Sequence, residues 1–263
     1  MLKAKLVWSS MAMAAMVSLG ACSQQANEET ATTTDGDQTA ETQHLRIATE
    51  GAYPPFNFTN PDGTLGGFDV EVAKALCTQM QADCEIVAQD WDGIIPGLLA
   101  KKYDAVVAGM SITDERLEKV DFTEPYFANT MVWLAKKDSN FDPNNISGKS
   151  LGGQRSTTPG TYLQDNYEGK NDNHVNLYDS YDNAYLDLKS GRSDAVLAEK
   201  VSAKDWLKTN PDFIIVGDEI DNNDNIAIAV RKGDGLKAEF DKALTAIREN
   251  GELAKLEQAS FDQ

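Results

Sequence analysis

Histidine is nearly absent from this 263-residue chain: His44 and His174 are the only two. No Gly-x-Ser-x-Gly, His-Glu-x-x-His, Walker A or Gly-x-Gly-x-x-Gly motif occurs. No catalytic residue, metal site or cofactor is therefore expected. Asp221 to Asn225 briefly resembles a calcium loop, but Ile226 stands where the turn glycine belongs and Lys232 where the bidentate glutamate belongs. Positive charge is scarce too. Lys and Arg total 24 against 42 Asp and Glu, a net charge of −18. That argues against nucleic acid as a partner, because such binding depends on cationic side chains. It mildly favours cationic solutes over anionic ones.

Long apolar runs are missing as well. Two lysines precede a short apolar stretch, Leu6 to Leu19, and small residues then lead into Cys22. The stretch is too short for a transmembrane helix, which needs about 20 apolar residues. It has the shape of a secretory signal over residues 1–21. Leu19-Gly20-Ala21-Cys22 resembles the lipobox of bacterial lipoproteins, which implies acylation of Cys22; the alternative is an ordinary secretion signal with an incidental cysteine. Ser23 to Gln43 has five acidic residues, no basic ones and almost no large apolar side chains. Such a segment cannot offset the entropy of ordering. Residues 22–43 read as a tether whose root-mean-square span is about 25 Å.

From His44 onward, short apolar strands alternate with helices, the pattern of an α/β architecture with largely parallel pairing. Strands are expected at Leu45–Thr49, Glu85–Ala88, Ala105–Ala108 and Ile226–Val230. Helices are expected at Phe68–Met80 and Ile94–Lys101, and as a pair over Leu236–Leu256 interrupted by Asn250-Gly251. Trp91 to Gly109 is echoed by Tyr181 to Glu199 at a constant offset of 90 residues, with six of nineteen positions identical. Two lobes built on one helix-then-strand plan fit this echo. In open α/β sheets, ligands bind beyond the carboxyl ends of the strands. Gly109 to Ser111 and Glu199 stand at such ends.

Cys77 and Cys84 remain as a possible pair. Seven residues of continuous helix would hold their α-carbons about 10 Å apart, whereas a disulfide needs about 7 Å or less. A bond requires the helix to end near Met80; otherwise the two are free buried thiols. Other candidates carry polar chemistry. Thr113 is a natural N-cap, and Arg116 falls in the first turn after it, where a cation is mildly disfavoured. It pairs either with a bidentate carboxylate from outside the helix or with a nearby surface acid. Tyr53 lies on a loop that paired prolines keep out of helix. Tyr53 and Trp91 are candidates to stack on a ligand, or else core residues. Glu50 and Glu199 follow apolar strands, where each could meet a cation or simply be solvated.

These residues fall within motifs that, together, resemble the family 3 periplasmic amino-acid-binding proteins of ABC importers. The motifs are Ala48-Thr49-Glu50-Gly51-Ala52-Tyr53-Pro54-Pro55-Phe56, Gly67-Phe68-Asp69-Val70, Asp92-Gly93-Ile94-Ile95-Pro96-Gly97-Leu98 and Ser111-Ile112-Thr113-Asp114-Glu115-Arg116. The chain most resembles the lysine/arginine/ornithine and histidine binders, and the Cys77/Cys84 spacing resembles their disulfide. The resemblance implies a type II fold of two α/β lobes joined by crossover strands near Asn129–Val132 and Asn225–Ala227. Lobe 1 would comprise 44–130 and 227–263, and lobe 2 would comprise 131–226. It also implies roles. Arg116 would grip an α-carboxylate, with Ser111 and the backbone at Ala108 and Gly109 forming a polar wall and Thr158 closing from the second lobe. Glu199 would receive the α-ammonium. Tyr53 and Trp91 would sandwich the ligand side chain, and Glu50 would meet a distal cation.

The sequence also departs from that group. Ala108-Gly109 replaces a serine pair, Pro159 removes a backbone donor beside Thr158, and Gly152-Gly153-Gln154-Arg155-Ser156 is unusual for it. The implied protein is a monomeric, lipid-anchored, periplasm-side binding protein that passes a free amino acid, a basic one (arginine, lysine, ornithine or histidine), to an ABC permease by hinge closure. Rival readings are a polar ligand such as glutamine, a cyclohexadienyl-dehydratase-like enzyme, and a ligand-sensing surface protein.

Overall fold

The structure, a computed structural model, describes residues 42–261. The expected signal segment 1–21, Cys22 and nearly all of the tether lie outside the described residues. No helix among the described residues is long and apolar enough to cross a membrane.

The chain runs through β1 (His44–Thr49), β2 (Ala52–Tyr53), β3 (Asn57–Thr59), β4 (Leu65–Gly66), α1 (Phe68–Met80), β5 (Asp83–Ala88), α2 (Trp91–Leu99), β6 (Ala105–Val106), α3 (Asp114–Leu117) and β7 (Val120–Phe122). It continues through β8 (Phe127–Lys136), β9 (Ser150–Gln154), α4 (Thr158–Tyr167), β10 (His174–Tyr178), α5 (Tyr181–Ser190), β11 (Ala195–Glu199), α6 (Lys200–Thr209) and β12 (Phe213–Ile226). It closes with β13 (Ala229–Arg231), α7 (Leu236–Glu249) and α8 (Glu252–Phe261).

Two five-stranded sheets form two lobes, ordered β5-β1-β6-β13-β7 and β10-β9-β11-β8-β12. In each, the first three strands are parallel neighbours, and the fourth, β13 or β8, runs antiparallel between the third and the fifth. The sheets are therefore mixed rather than largely parallel. Parallel neighbours need a crossover connection, usually helical, whereas β8 and β13 each follow the preceding strand with no helix between. The 90-residue echo corresponds to real equivalence: Trp91 opens α2 before β6, and Tyr181 opens α5 before β11.

Local boundaries follow local chemistry. Helix α2 starts three residues earlier than the expected Ile94, with Asp90 at its N-cap, and Lys101 adopts a positive φ of 59° just past its end. The expected strand Ile226–Val230 is broken. At Ile226 the backbone leaves β8, and the next two amides bond elsewhere: Ala227 to the Met110 carbonyl at 3.0 Å and Ile228 to Thr123 Oγ1 at 3.1 Å. Strands β8 and β12 form a ribbon from Lys136/Phe213 to Phe127/Ile226, with two register irregularities. Its last pair ties into the first lobe, where Ile226 bridges Ser111 and its carbonyl accepts from Tyr126 N at 2.8 Å.

Apolar spacing in α1 buries Val72, Leu76 and Cys77 against Phe240 and Leu244 of α7. Trp133, Leu151, Leu163 and Leu197 fill the second lobe. Helix α1 stops at Met80, and Gln81 takes a left-handed cap at φ 55°. The turn brings the Cys77 and Cys84 α-carbons to 6.2 Å, and the two are disulfide-bonded. By the chain-entropy relation a loop this small contributes about 2.5 kcal/mol. Replacing both cysteines by serine is expected to lower the melting temperature by about 5–10 °C, using 2–4 °C per kcal/mol for a protein of this size. Calorimetry under oxidising conditions checks this; a shift below about 1 °C would mean that the bond adds nothing.

Candidate functional site

Topology gathers the site. Glu50 follows β1, Ala108, Gly109 and Ser111 follow β6, Gln154 ends β9 and Glu199 ends β11. Trp91, Thr158 and Tyr181 each open a helix that follows one of these strands or its neighbour. Strand ends and helix starts of both lobes thus face one crevice, where open α/β sheets hold ligands. All nine residues singled out in the sequence line it: Glu50, Tyr53, Trp91, Ala108, Gly109, Ser111, Arg116, Thr158 and Glu199. Gln154, Thr157 and Tyr181 join them.

Arg116 is buried. Its Nη1 donates to the Ser111 carbonyl at 2.7 Å and its Nη2 to the Ser156 carbonyl at 2.8 Å. Its guanidinium carbon lies 5.3 Å from the Trp91 ring centre, a cation–π contact. Among the described residues no carboxylate stands within salt-bridge distance of it. The surface-pair alternative for Arg116 is thereby removed. Burial pulls its pKa below the usual value, while the negative charges of Asp224, Glu199 and Glu115 oppose that shift.

Two buried carboxyls line the same crevice. Glu50 is raised to about 7, chiefly by burial, and its Oε1 accepts from Gln154 Nε2 at 2.7 Å. Glu199 is also raised to about 7, by burial first and by Asp224 next. The hydroxyls of Tyr53 and Tyr181 approach Glu199 without completing a hydrogen bond. Both hydroxyls, Glu199 Oε2 and Thr158 Oγ1 are buried without a partner among the described residues. Buried polar groups are nearly always paired, so four such atoms in one crevice mark a place built for a polar guest.

The lobes touch directly across the crevice. Besides the Glu50–Gln154 and Arg116–Ser156 bonds, Trp91 Nε1 donates to the Ser156 carbonyl at 3.2 Å and Arg155 pairs with Asp92. Tyr53 stacks on Tyr181 with ring centres 5.7 Å apart. The space left among these side chains is about 10 Å³, roughly one water's worth. A larger guest enters only when the lobes or these side chains move apart.

The departures noted in the sequence have structural reasons. Gly109 has φ +56°, and a Cβ there would lie 3.0 Å from Tyr53 Cε1, so a side chain meets both strain and the ring. A Cβ on Gly153 would lie 2.8 Å from Leu163 Cδ1, so this glycine lets α4 pack close to β9, while one on Gly152 would meet Val196 Cγ2 at 3.1 Å. Pro159 stands at the start of α4, where a missing N–H costs no intrahelical bond, and Thr157 caps that helix by accepting from Gly160 N at 3.1 Å. Beneath the crevice, buried Asp69 accepts from Asn57 Nδ2 at 2.8 Å and from Tyr126 OH at 2.6 Å. Asn57 Oδ1 accepts from Gly51 N at 2.6 Å, and Tyr126 OH accepts from Gly109 N at 3.3 Å. This chain of bonds fixes the loops that carry Glu50 and Gly109.

Sequence reasoning missed four residues here. Tyr181 was recoverable as the echo partner of Trp91. Gln154 sat inside a segment recognised as unusual but given no role. Thr157 reads in sequence as a helix cap alone, and Asp69 as part of a motif without a task.

The buried acids make a pH prediction. Glu50 and Glu199 at about 7, and Asp69 at about 6, all titrate above their usual values of 4.5, 4.5 and 3.8. The folded chain therefore holds more protons than the unfolded one, so their contribution is fully present below about pH 4 and is lost as pH rises to 7. Thermal melts of the ligand-free protein should give a higher melting temperature at pH 5 than at pH 8, with a flatter slope for Glu199→Gln. A melting temperature that rises over that range in both proteins would contradict these protonation states.

Residues 45–263 match the family model for bacterial extracellular solute-binding proteins, family 3. The chain is 38% identical over 226 residues to ABC transporter arginine-binding protein 1 of Escherichia coli, covering 84% of this chain and 92% of that protein. It is 37% identical over 227 residues to the L-arginine-binding protein of Pseudomonas aeruginosa, covering 82% and 87% respectively. The solved structure of an ancestral arginine-binding protein bound to arginine superposes with a TM-score of 0.78 at 36% identity, covering 83% of this chain and 98% of that one.

Proposed function

Since the chain belongs to the bacterial extracellular solute-binding proteins of family 3, we propose that it captures a free basic amino acid, arginine foremost, and delivers it to an ABC permease. It is a binding protein rather than an enzyme, as its relatives are by name. The observation that carries the reading is the pairing of a buried Arg116 that lacks an acidic partner with buried Glu199 and Glu50 around one crevice. A zwitterion with a second cation complements that set. Its α-carboxylate takes the remaining guanidinium donors, with Ser111, Thr158 and the backbone at Ala108 and Gly109 as a polar wall. Its α-ammonium goes to Glu199, and its distal cation to Glu50 and the Gln154 carboxamide. Tyr53 and Trp91 flank the side chain. Charge-assisted bonds in a dry cleft supply the specificity.

Capture proceeds by hinge closure. Lobe 1 is taken as 44–130 and 227–263, and lobe 2 as 131–226, with the β8 and β12 ribbon as the hinge. The contacts across the crevice and the arginine-binding relatives support this reading. The mature protein is taken to be a monomer anchored through Cys22 on the periplasmic side, with residues 22–43 as its tether.

A thermal-shift screen against all amino acids tests the ligand. At 100 times its dissociation constant a ligand stabilises by about 2.7 kcal/mol, and arginine, lysine, ornithine or histidine should shift the melt most. A dominant response to glutamine or an acidic amino acid refutes the basic preference. The ligand-induced shift should grow between pH 5 and pH 8, because Glu50 and Glu199 must be ionised to meet cations. Arg116→Ala should abolish calorimetric binding of every amino acid; retained micromolar affinity would mean the carboxylate anchor is misassigned.

A further inference from the structure

Asp224 lies on β12 opposite Asn129 of β8, while Glu199 lies on β11 opposite Met131 of the same β8. Residues two apart on a strand share a face, so register places Glu199, Asn129 and Asp224 on one side of the ribbon. All three are buried. Asn129 Nδ2, Glu199 Oε2 and both Asp224 carboxyl oxygens complete no hydrogen bond among the described residues, although the Ser111 side chain approaches Asp224. Two residues after Asp224, Ile226 bridges Ser111, whose carbonyl holds Arg116. Asp224 therefore sits where the hinge ribbon meets the crevice, behind its lining.

We propose that Asp224 is the second acid of the ammonium end of the crevice: with Glu199 it sets a two-carboxylate field that stabilises the ligand's α-ammonium. The inference rests on the α-amino-acid reading above and does not depend on which side chain the ligand carries. Two carboxylates held together out of water repel each other and resist ionisation. Burial raises both Asp224 and Glu199, and Asp224 is the strongest charged neighbour acting on Glu199. A cation entering beside them relieves that repulsion and the desolvation of both groups at once. Asp224 is equally the strongest negative neighbour of Arg116. There it works the other way, because its charge competes with an incoming ligand carboxylate. Asp224 thus favours the ammonium and opposes the carboxylate, a sign difference that a purely structural role cannot produce.

Isothermal titration of wild type and Asp224→Asn with three probes reads that sign. The probes are arginine, agmatine (ammonium without carboxylate) and 5-guanidinopentanoate (carboxylate without ammonium). Asp224→Asn should weaken agmatine binding by about tenfold, the scale of one charge acting over several ångströms in a protein, and arginine binding by less, because its carboxylate gains part of what its ammonium loses. It should leave 5-guanidinopentanoate unchanged or tighter. Asp224→Glu, which keeps the charge, should keep the wild-type ratio of arginine to 5-guanidinopentanoate. Equal weakening of all three probes by Asp224→Asn, no change in any, or loss of the ratio in Asp224→Glu overturns the proposal. Should Asp224→Asn fail to fold, the Asp224→Glu ratio decides alone. Wild-type arginine binding reports separately on the reading beneath it.

Discussion

A guanidinium held out of water without a counter-ion in contact is the constraint around which this molecule is arranged. Arg116 is buried, so its charge is costly, and among the described residues the carbonyls of Ser111 and Ser156 and the Trp91 ring attend its guanidinium. Ser111 belongs to the first lobe and Ser156 to the second, so the cation also joins the lobes. Around it stand Glu199, Glu50 and Asp224, each pushed toward neutrality by the same burial. A crevice with one positive and several reluctant negative groups is unfavourable alone and well matched to a zwitterion. Its marginal electrostatics make opening and closing respond to the guest, because a ligand shifts an equilibrium only by its differential affinity for the two states.

The fold supplies this arrangement by repetition. Each sheet begins with three parallel strands whose carboxyl ends face the crevice, and each lobe sets an aromatic at the first residue of an equivalent helix, Trp91 in α2 and Tyr181 in α5. The Asp69, Asn57 and Tyr126 bonds pin the loops after β1 and β6. The pinned loops hold Glu50 and Gly109 in place, which a binding site on loops otherwise lacks. The β8 and β12 ribbon, with its register irregularities, ends where Ile226 bridges Ser111 beside the other sheet.

Much of this was legible in the chain. The 3.6-residue spacing of α1 and the Asn250-Gly251 break between α7 and α8 announced themselves because each is local: side-chain periodicity and turn chemistry act over a few residues. Arg116 stood out because a cation in the first turn of α3 contradicts the helix dipole, and such local contradictions mark function. The mixed pairing of the sheets was not legible, because antiparallel and parallel neighbours draw on the same apolar residues. Nor was Asp224, which reads in sequence as one acid among several in a polar loop. Its importance comes from facing Asn129 across the ribbon and Glu199 beyond it.

The sequence by itself determined the alternation of strands and helices, the repeated lobe plan, and the residue types standing at the strand ends. Those follow from short-range periodicity and from charges set where no local partner exists. Only the tertiary structure decided which of those residues meet. Glu50 and Gln154 are 104 positions apart yet share a 2.7 Å bond, and Arg116 reaches Ser156 across 40. Contacts at such separations depend on how two lobes close. Burial then decides their electrostatics, since the same glutamate that is an ordinary acid on a solvated loop titrates near 7 when the opposite lobe covers it.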